Sequence, residues 1–321
     1  MVMADPVFAY HTSASCAGFL KSPALQAKPD APFVVAGVAW DGATTNRPGA
    51  RHGPGAIRRA SYMLCDATHP LFDVSPVGLI ADAGDLPLPN TSLESMRACL
   101  VGRASELLKH KQHMIWLGGD HSITLGILRA YRTEFDCPLA LIHLDAHCDT
   151  WTDHYGEPSG HGTWLYEALQ EGLVEPRLTF QFGIRSPAVA SAKTLIIDRG
   201  GLTFTARDLR GIENPAQLAP ITNVLRDRLR AAGSVPVYLS LDIDCLDPAF
   251  APGTGTPEPG GLTSSQVLTM LEEWNDFNFV GMDLCEVSPP FDFSEMTSAA
   301  AATFIWTYLC GRIRTKETSP D

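Results

Sequence analysis

The chain of 321 residues is short of positive charge: 24 Lys and Arg stand against 36 Asp and Glu, a formal net charge of −12. Such a balance lacks the footprint of a general nucleic-acid or anionic-membrane binder, so neither partner is expected. No run reaches the roughly 18 uninterrupted apolar residues that would mark a membrane span. The opening MVMADPVFAYHTSASC has no basic n-region and no long apolar core, so no secretory signal is read there. None of the eight cysteines forms a C-x-x-C pair, and their spacing is irregular. A disulfide framework or zinc knuckle is therefore not expected, and a reducing, cytoplasmic compartment fits. Charged residues are scarce at 19%, while hydrophobic ones make up 45%. Enough apolar surface is present for a large core, which argues against disorder.

What the sequence does have is a rhythm. Residues 1–31 mix Pro, Ser, Ala and Lys without a period and read as an N-terminal arm. From residue 33 onward, apolar runs alternate with helical patterns. Strands are expected at FVVAGVAW (33–40), VGLIADAG (77–84), HMIWLGG (113–119), PLALIHLDAH (138–147), TFQFGIR (179–185), VPVYLSLDID (235–244) and NFVGMDLCEV (278–287). Helices fit 54–65, 92–110, 122–135, 217–231, 264–275 and 294–309, the second starting at Asn90-Thr91-Ser92. Strands apolar on both faces, separated by helices, imply a single-domain, three-layer α/β/α fold around a mostly parallel sheet. No composition break divides 32–311, and the polar residues 312–321 are expected to form a frayed tail.

In such sheets functional groups gather at the carboxyl ends of the strands. His121 follows the strand ending LGG; Asp145, His147 and Asp149 close LALIHL; Asp242 and Asp244 close VPVYLSL; Glu286 closes FVGMDLC. Residues i, i+2 and i+4 of an extended chain face the same side, so each set projects together. Four carboxylates gathered with two imidazoles would repel one another unless cations intervene, and two divalent ions neutralise the formal charge of the four. A site with two ions about 3.5–4 Å apart suits this donor set. Oxygen and nitrogen donors without thiolate favour Mn²⁺, with Ni²⁺ or Co²⁺ as alternatives. His143 shares the parity of Asp145 but lies deeper, as a buried hydrogen-bonded neighbour. Cys148 and Cys245 have the opposite parity and read as packing residues.

The blocks LGGDHS (117–122), DAHCDT (145–150) and SLDIDCLDP (240–248), together with RPGARHGPGAIR (47–58), HGT (161–163), PGTGTPEPGG (252–261) and EVSPPFD (286–292), resemble the ureohydrolase family of arginases and agmatinases, in its agmatinase-like branch. The similarity runs from about residue 37 to 309. The resemblance implies an arginase-like fold, with 32–311 as the catalytic domain. It implies a binuclear manganese site held by His121, Asp145, His147, Asp149, Asp242 and Asp244, and a homo-oligomer, usually a trimer or hexamer. The family's mobile histidine falls on His161 and its guanidinium-binding carboxylate on Glu286.

The implied reaction is release of urea and an amine from a small guanidino compound. A water acidified between the two ions attacks, Asp149 orients it, Glu286 accepts hydrogen bonds from the guanidinium, and His161 relays a proton to the leaving amine. The loop WTDHYGEPSG (151–160) offers Asp153 and Glu157 to a cationic tail and Trp151 and Tyr155 to an apolar one. Asn46 and the stretch TTNRPGARHGP look more like guanidino-acid hydrolases, so 4-guanidinobutyrate stands beside agmatine, with guanidine or a biguanide such as metformin as alternatives. Arg47 or Arg51 could clamp a carboxylate, but both read better as loop-fixing or subunit-contact residues. A catalytically silent partner of a hetero-oligomer would be expected to lack a ligand, and none is missing. PGTGTPEPGG has no G-K-S/T ending and is a poor phosphate loop. A related deacetylase would need only one ion.

Overall fold

The computed structural model describes residues 18–233 and 235–318. Eight strands form one parallel sheet: β1 Phe33–Val38, β2 Ile80–Asp85, β3 His113–Gly118, β4 Leu139–Leu144, β5 Val174–Ile184, β6 Leu202–Thr205, β7 Val237–Asp242 and β8 Phe279–Cys285. Their order across the sheet is β2-β1-β3-β8-β7-β4-β5-β6. The helices are α1 Gly53–Ala60, α2 Leu93–Leu108, α3 Ile123–Phe135, α4 Trp164–Gln170, α5 Ala190–Lys193, α6 Leu195–Asp198, α7 Pro215–Ala231, α8 Ser264–Glu273 and α9 Met296–Thr318.

The central strands are buried on both faces, which is why they read as continuous apolar runs. Alternate side chains feed two cores. Phe33, Val35, Ile115, Leu117, Ile142, Leu239 and Met282 pack on one face. Val34, Ala36, Trp116, Leu141 and Tyr238 pack on the other. Local signals place the helix starts: Ser92 caps α2 by accepting from the Ser95 amide, and Thr263 and Gln266 form a reciprocal capping box on α8.

Some elements differ from expectation. Residues 77–79 form a turn, so the second strand starts at Ile80. The helix expected over 54–65 ends at Ala60 and continues only as a 3₁₀ turn. Strand β6 and helix α4 were not anticipated; β6 is a half-buried four-residue edge strand, too short for a clear period.

Neither end behaves as a free segment where it is described. Phe19 and Leu20 of the expected arm are buried, and their amides donate to Asp82 and Ser61; residues 1–17 lie outside the described residues. The last helix runs through Thr318 rather than fraying after 311, which corrects the expected tail. Its extension is anchored. Arg312 is buried and donates to the carbonyls of Phe277 and Asn275, Ile313 joins the core, and Lys316 lies over the Phe33 ring.

Candidate active site

Strands β3, β8, β7 and β4 are neighbours at the centre of the sheet, and every expected ligand sits at or shortly beyond the carboxyl end of β3, β7 or β4. A tight turn after β3 starts the assembly. A Cβ on Gly119 would lie 2.1 Å from the Trp40 carbonyl oxygen, so only glycine lets this backbone pass. Asp120 follows, buried, and ties the turn to the 41–45 loop by accepting the Ala43 amide at 2.8 Å.

The donor atoms fall into two groups joined by one carboxylate. Nδ1 of His121 lies 3.1 Å from Asp145 Oδ2 and 3.2 Å from an oxygen each of Asp149 and Asp242. Nδ1 of His147 lies 3.2 Å from Asp145 Oδ1 and 3.1 Å from Asp244 Oδ2. Asp145 thus presents one oxygen to each group. His121 and the four aspartates are buried, and only His147 keeps partial access to solvent. The structure therefore brings together all six residues expected from strand parity.

The electrostatics of the cluster are unbalanced without cations. Burial pushes the Asp242 carboxyl well up, and the charges of Asp244 and Asp145 push it further. Burial also works against the Asp145 charge, but the His121, His143 and His147 imidazoles around it outweigh this and hold that carboxyl well below the usual range. His121 Nδ1 is a buried nitrogen with no hydrogen-bond partner, despite three carboxylate oxygens around it. A buried, unpartnered ring nitrogen facing a ring of carboxylates is what a divalent cation would satisfy. The donor set fits the expected binuclear centre, with Asp145 contributing to both positions.

Glu286 and Asp149 both hold positive φ, at 66° and 53°, a left-handed conformation that costs about 1–3 kcal/mol for ordinary residues and gathers at functional sites. Oε1 of Glu286 accepts from the His121 amide at 3.0 Å and from His161 Nδ1 at 2.8 Å. Its Oε2 is buried without any partner. Glu286 does not line the cavity, but His161 does.

On the other side of its ring, His161 Nε2 receives the Thr45 amide at 3.2 Å. A backbone N–H can only donate, so this ring nitrogen is the acceptor and the hydrogen sits on Nδ1, facing Glu286. Burial opposes a charge on His161, yet the Glu286 hydrogen bond and the charges of Glu286, Asp120 and Asp149 raise its pKa to about 9. A second proton would have to displace the Thr45 amide, so protonation and release of the ring from the 41–45 loop are coupled.

A cavity of about 460 Å³ opens above the donors, lined by His121, His147, Asp149, Asp242 and His161 below and by Trp151, Asp153, His154, Tyr155, Ser186 and Pro187 at the sides. Asp153 and Trp151 therefore border it as expected. No Lys or Arg is among the lining residues. Arg51 is held on Asp41, the Arg47 guanidinium lies 5.4 Å from the Phe291 ring, and Arg185 donates to the carbonyls of Gly183, Asp244, Cys245, Leu246 and Glu258.

Sequence reasoning missed several supports. Trp164 donates its indole N–H to Asp149, Ser240 meets His121, and Thr45 meets His161. Ser240 shares the parity of Asp242, a signal that was available. Thr45 is 116 residues from its partner and carries none.

A sequence model described as the arginase family matches residues 31–311. An agmatinase from Proteus mirabilis is 41% identical over 292 residues, covering 89% of this chain and 90% of the relative. The crystal structure of a hypothetical agmatinase from Burkholderia thailandensis superposes with a TM-score of 0.84 at 35% identity, covering 96% of this chain and 94% of that one. A proclavaminate amidino hydrolase from Streptomyces clavuligerus gives 0.82 at 35% identity, over 94% and 98% of the two chains. An arginase from Bacillus subtilis gives 0.72 at 29% identity, over 86% and 98%.

Proposed function

The chain belongs to the arginase family and is an amidinohydrolase acting on carbon–nitrogen bonds, and from that premise we propose that it hydrolyses agmatine to urea and 1,4-diaminobutane at a centre of two Mn²⁺ ions. Asp145 carries the reading of the centre: its two oxygens each face a separate imidazole–carboxylate group. When bound, the two ions supply the charge that makes water acidic enough to attack at neutral pH.

The chain's own residues do the rest. Oε2 of Glu286, buried, unpartnered and bonded through its other oxygen to the cavity-lining His161, is suited to accept a guanidinium N–H once that ring moves aside. His161 is suited to hold a proton and deliver it to the leaving amine as its ring parts from Thr45. Asp149, fixed by the Trp164 indole, orients the attacking water. The partly enclosed cavity limits bulk water around the reacting carbon.

Charge at the cavity wall supports a cationic tail. Asp153 lines it, no cation does, and each nearby arginine has another partner. The carboxylate of 4-guanidinobutyrate would meet no counter-charge there, whereas the terminal ammonium of agmatine would meet Asp153. An oligomer of identical subunits, trimer or hexamer, belongs to the same proposal; Met63 and Phe293, exposed at 82% and 80%, are apolar surface that such contacts would cover. Among the described residues seven cysteines are unpaired, which is compatible with a reducing, cytoplasmic setting.

The test is urea release by the Mn²⁺-loaded full-length chain from agmatine, 4-guanidinobutyrate, 3-guanidinopropionate, guanidine and metformin. Agmatine is expected to give the highest kcat/KM. A preference for either guanidino acid would overturn the assignment of the tail while leaving the reaction class in place.

A further inference from the structure

A second polar row crosses the sheet below the ligands, and two of its members, His143 and Ser240, stand two residues before Asp145 and Asp242. Register pairs Gln181 of β5 with His143 of β4, His143 with Ser240 of β7, and Ser240 with Asp283 of β8. All four side chains are fully buried. A polar row inside an apolar sheet is costly unless each member is satisfied; His143 bonds to Asp145 and Gln181, and Ser240 to His121 and Asp283.

Asp283 ends the row, and its oxygens have hydroxyl donors. Ser240 Oγ lies 2.7 Å from Oδ1, with the Cys285 thiol a weaker neighbour at 3.7 Å. Thr124 Oγ1 and Tyr238 Oη each lie 2.9 Å from Oδ2. An ionised carboxylate can only accept, so the single Ser240 hydrogen points to Asp283. Ser240 Oγ also lies 2.8 Å from His121 Nε2. With its own hydrogen spent on Asp283, Ser240 can only accept there, so Nε2 must carry the hydrogen. The lone pair of His121 is then on Nδ1, the unpartnered nitrogen facing Asp145, Asp149 and Asp242.

We propose that Asp283 is a positioning residue of the metal centre: acting through Ser240, it locks His121 in the Nε2–H tautomer and keeps Nδ1 free for a cation. This rests on the proposed metal site. It concerns a residue that touches neither substrate nor ion and that none of the motif blocks above contains. The geometry also defines its opposite. A neutral Asp283 donating to Ser240 would turn the Ser240 hydrogen toward His121 and leave Nδ1 protonated, unable to ligate.

The test uses the full-length protein and Mn²⁺ alone. The Asp283→Asn amide can donate to Ser240 and reverse the direction of the row; Ser240→Ala removes the link. Tyr238→Phe removes a donor to the other oxygen and is the control. Outer partners of metal-bound histidines are typically worth about 10–100-fold in affinity. Mn²⁺ affinity of the folded protein, read by calorimetry or chelator competition, is expected to fall by about that factor in the first two variants and to stay within about threefold in the control. Because positioning rather than chemistry is lost, kcat at saturating Mn²⁺ is expected to recover most of its original value.

Should Asp283→Asn fail to fold, Ser240→Ala decides by the same reading. Unchanged Mn²⁺ affinity in folded Asp283→Asn, or in Ser240→Ala where Asp283→Asn does not fold, overturns the role. A wild-type chain that takes up no Mn²⁺ would instead overturn the metal reading itself, and this role with it.

Discussion

The floor and the rim of the cavity are built by different rules. On the floor, His121, Asp145, Asp242 and Asp244 are at most 3% exposed and come from the ends of adjacent strands. Strand spacing places them, and the polar row below holds them: His143 bonds to Asp145, and Ser240 to His121. On the rim, Asp153 and Tyr155 are exposed, and Tyr155 reaches 90%. The segment is held mainly by its own turn, in which His154 and Glu157 exchange backbone hydrogen bonds and Asp153 accepts the Gly156 amide. A rigid, desolvated floor suits the reaction, because buried charges cannot relax away from their positions. A solvated loop can change without disturbing the fold, so it suits choice of substrate.

The contrast predicts unequal consequences. Asp145→Ala removes the one carboxylate shared by both donor groups. It is expected to lower bound Mn²⁺ and cut urea release by about three orders of magnitude or more, with far-ultraviolet circular dichroism unchanged. Retained turnover would show that the floor is not the reacting site. Asp244→Ala, which removes a ligand from the His147 group alone, is expected to lower metal content and abolish turnover as well.

His161 stands between floor and rim. His161→Ala should reduce kcat by about 10²–10⁴-fold while metal content stays at the wild-type value. Metal loss in that variant would move His161 onto the floor and blur the division. The smallest effect is expected at the rim. An exposed charge contributes about 1 kcal/mol or less, so Asp153→Asn should raise KM for agmatine by about fivefold and leave guanidine, which has no tail, unaffected. An equal loss for both compounds would mean that Asp153 supports the loop rather than reads the tail.

The same division governs what could be read from the sequence. Strand-end positions pointed to all six residues of the floor cluster, because the central strands β3, β4 and β7 run out together at the carboxyl edge of the sheet, although 145–149 and 243–245 are bends and turns rather than extended strand. The parallel sheet was legible because its central strands are apolar on both faces and read as continuous runs. Edge strand β6 and helix α4 were not, being too short to show a period. The strap from Thr45 to His161 and the Arg312 anchor of the last helix depend on contacts between distant segments, which no local pattern encodes. Arginines 47 and 51 illustrate the limit at the rim: the sequence admitted a carboxylate clamp while favouring loop-fixing or subunit contact, and their partners Phe291 and Asp41 could not be named from it.

The most direct test is anomalous diffraction from crystals of the Mn²⁺-loaded full-length protein. Two manganese peaks are expected on either side of Asp145, one against His121, Asp149 and Asp242 and the other against His147 and Asp244. A single peak, or none between these side chains at full loading, would contradict the account.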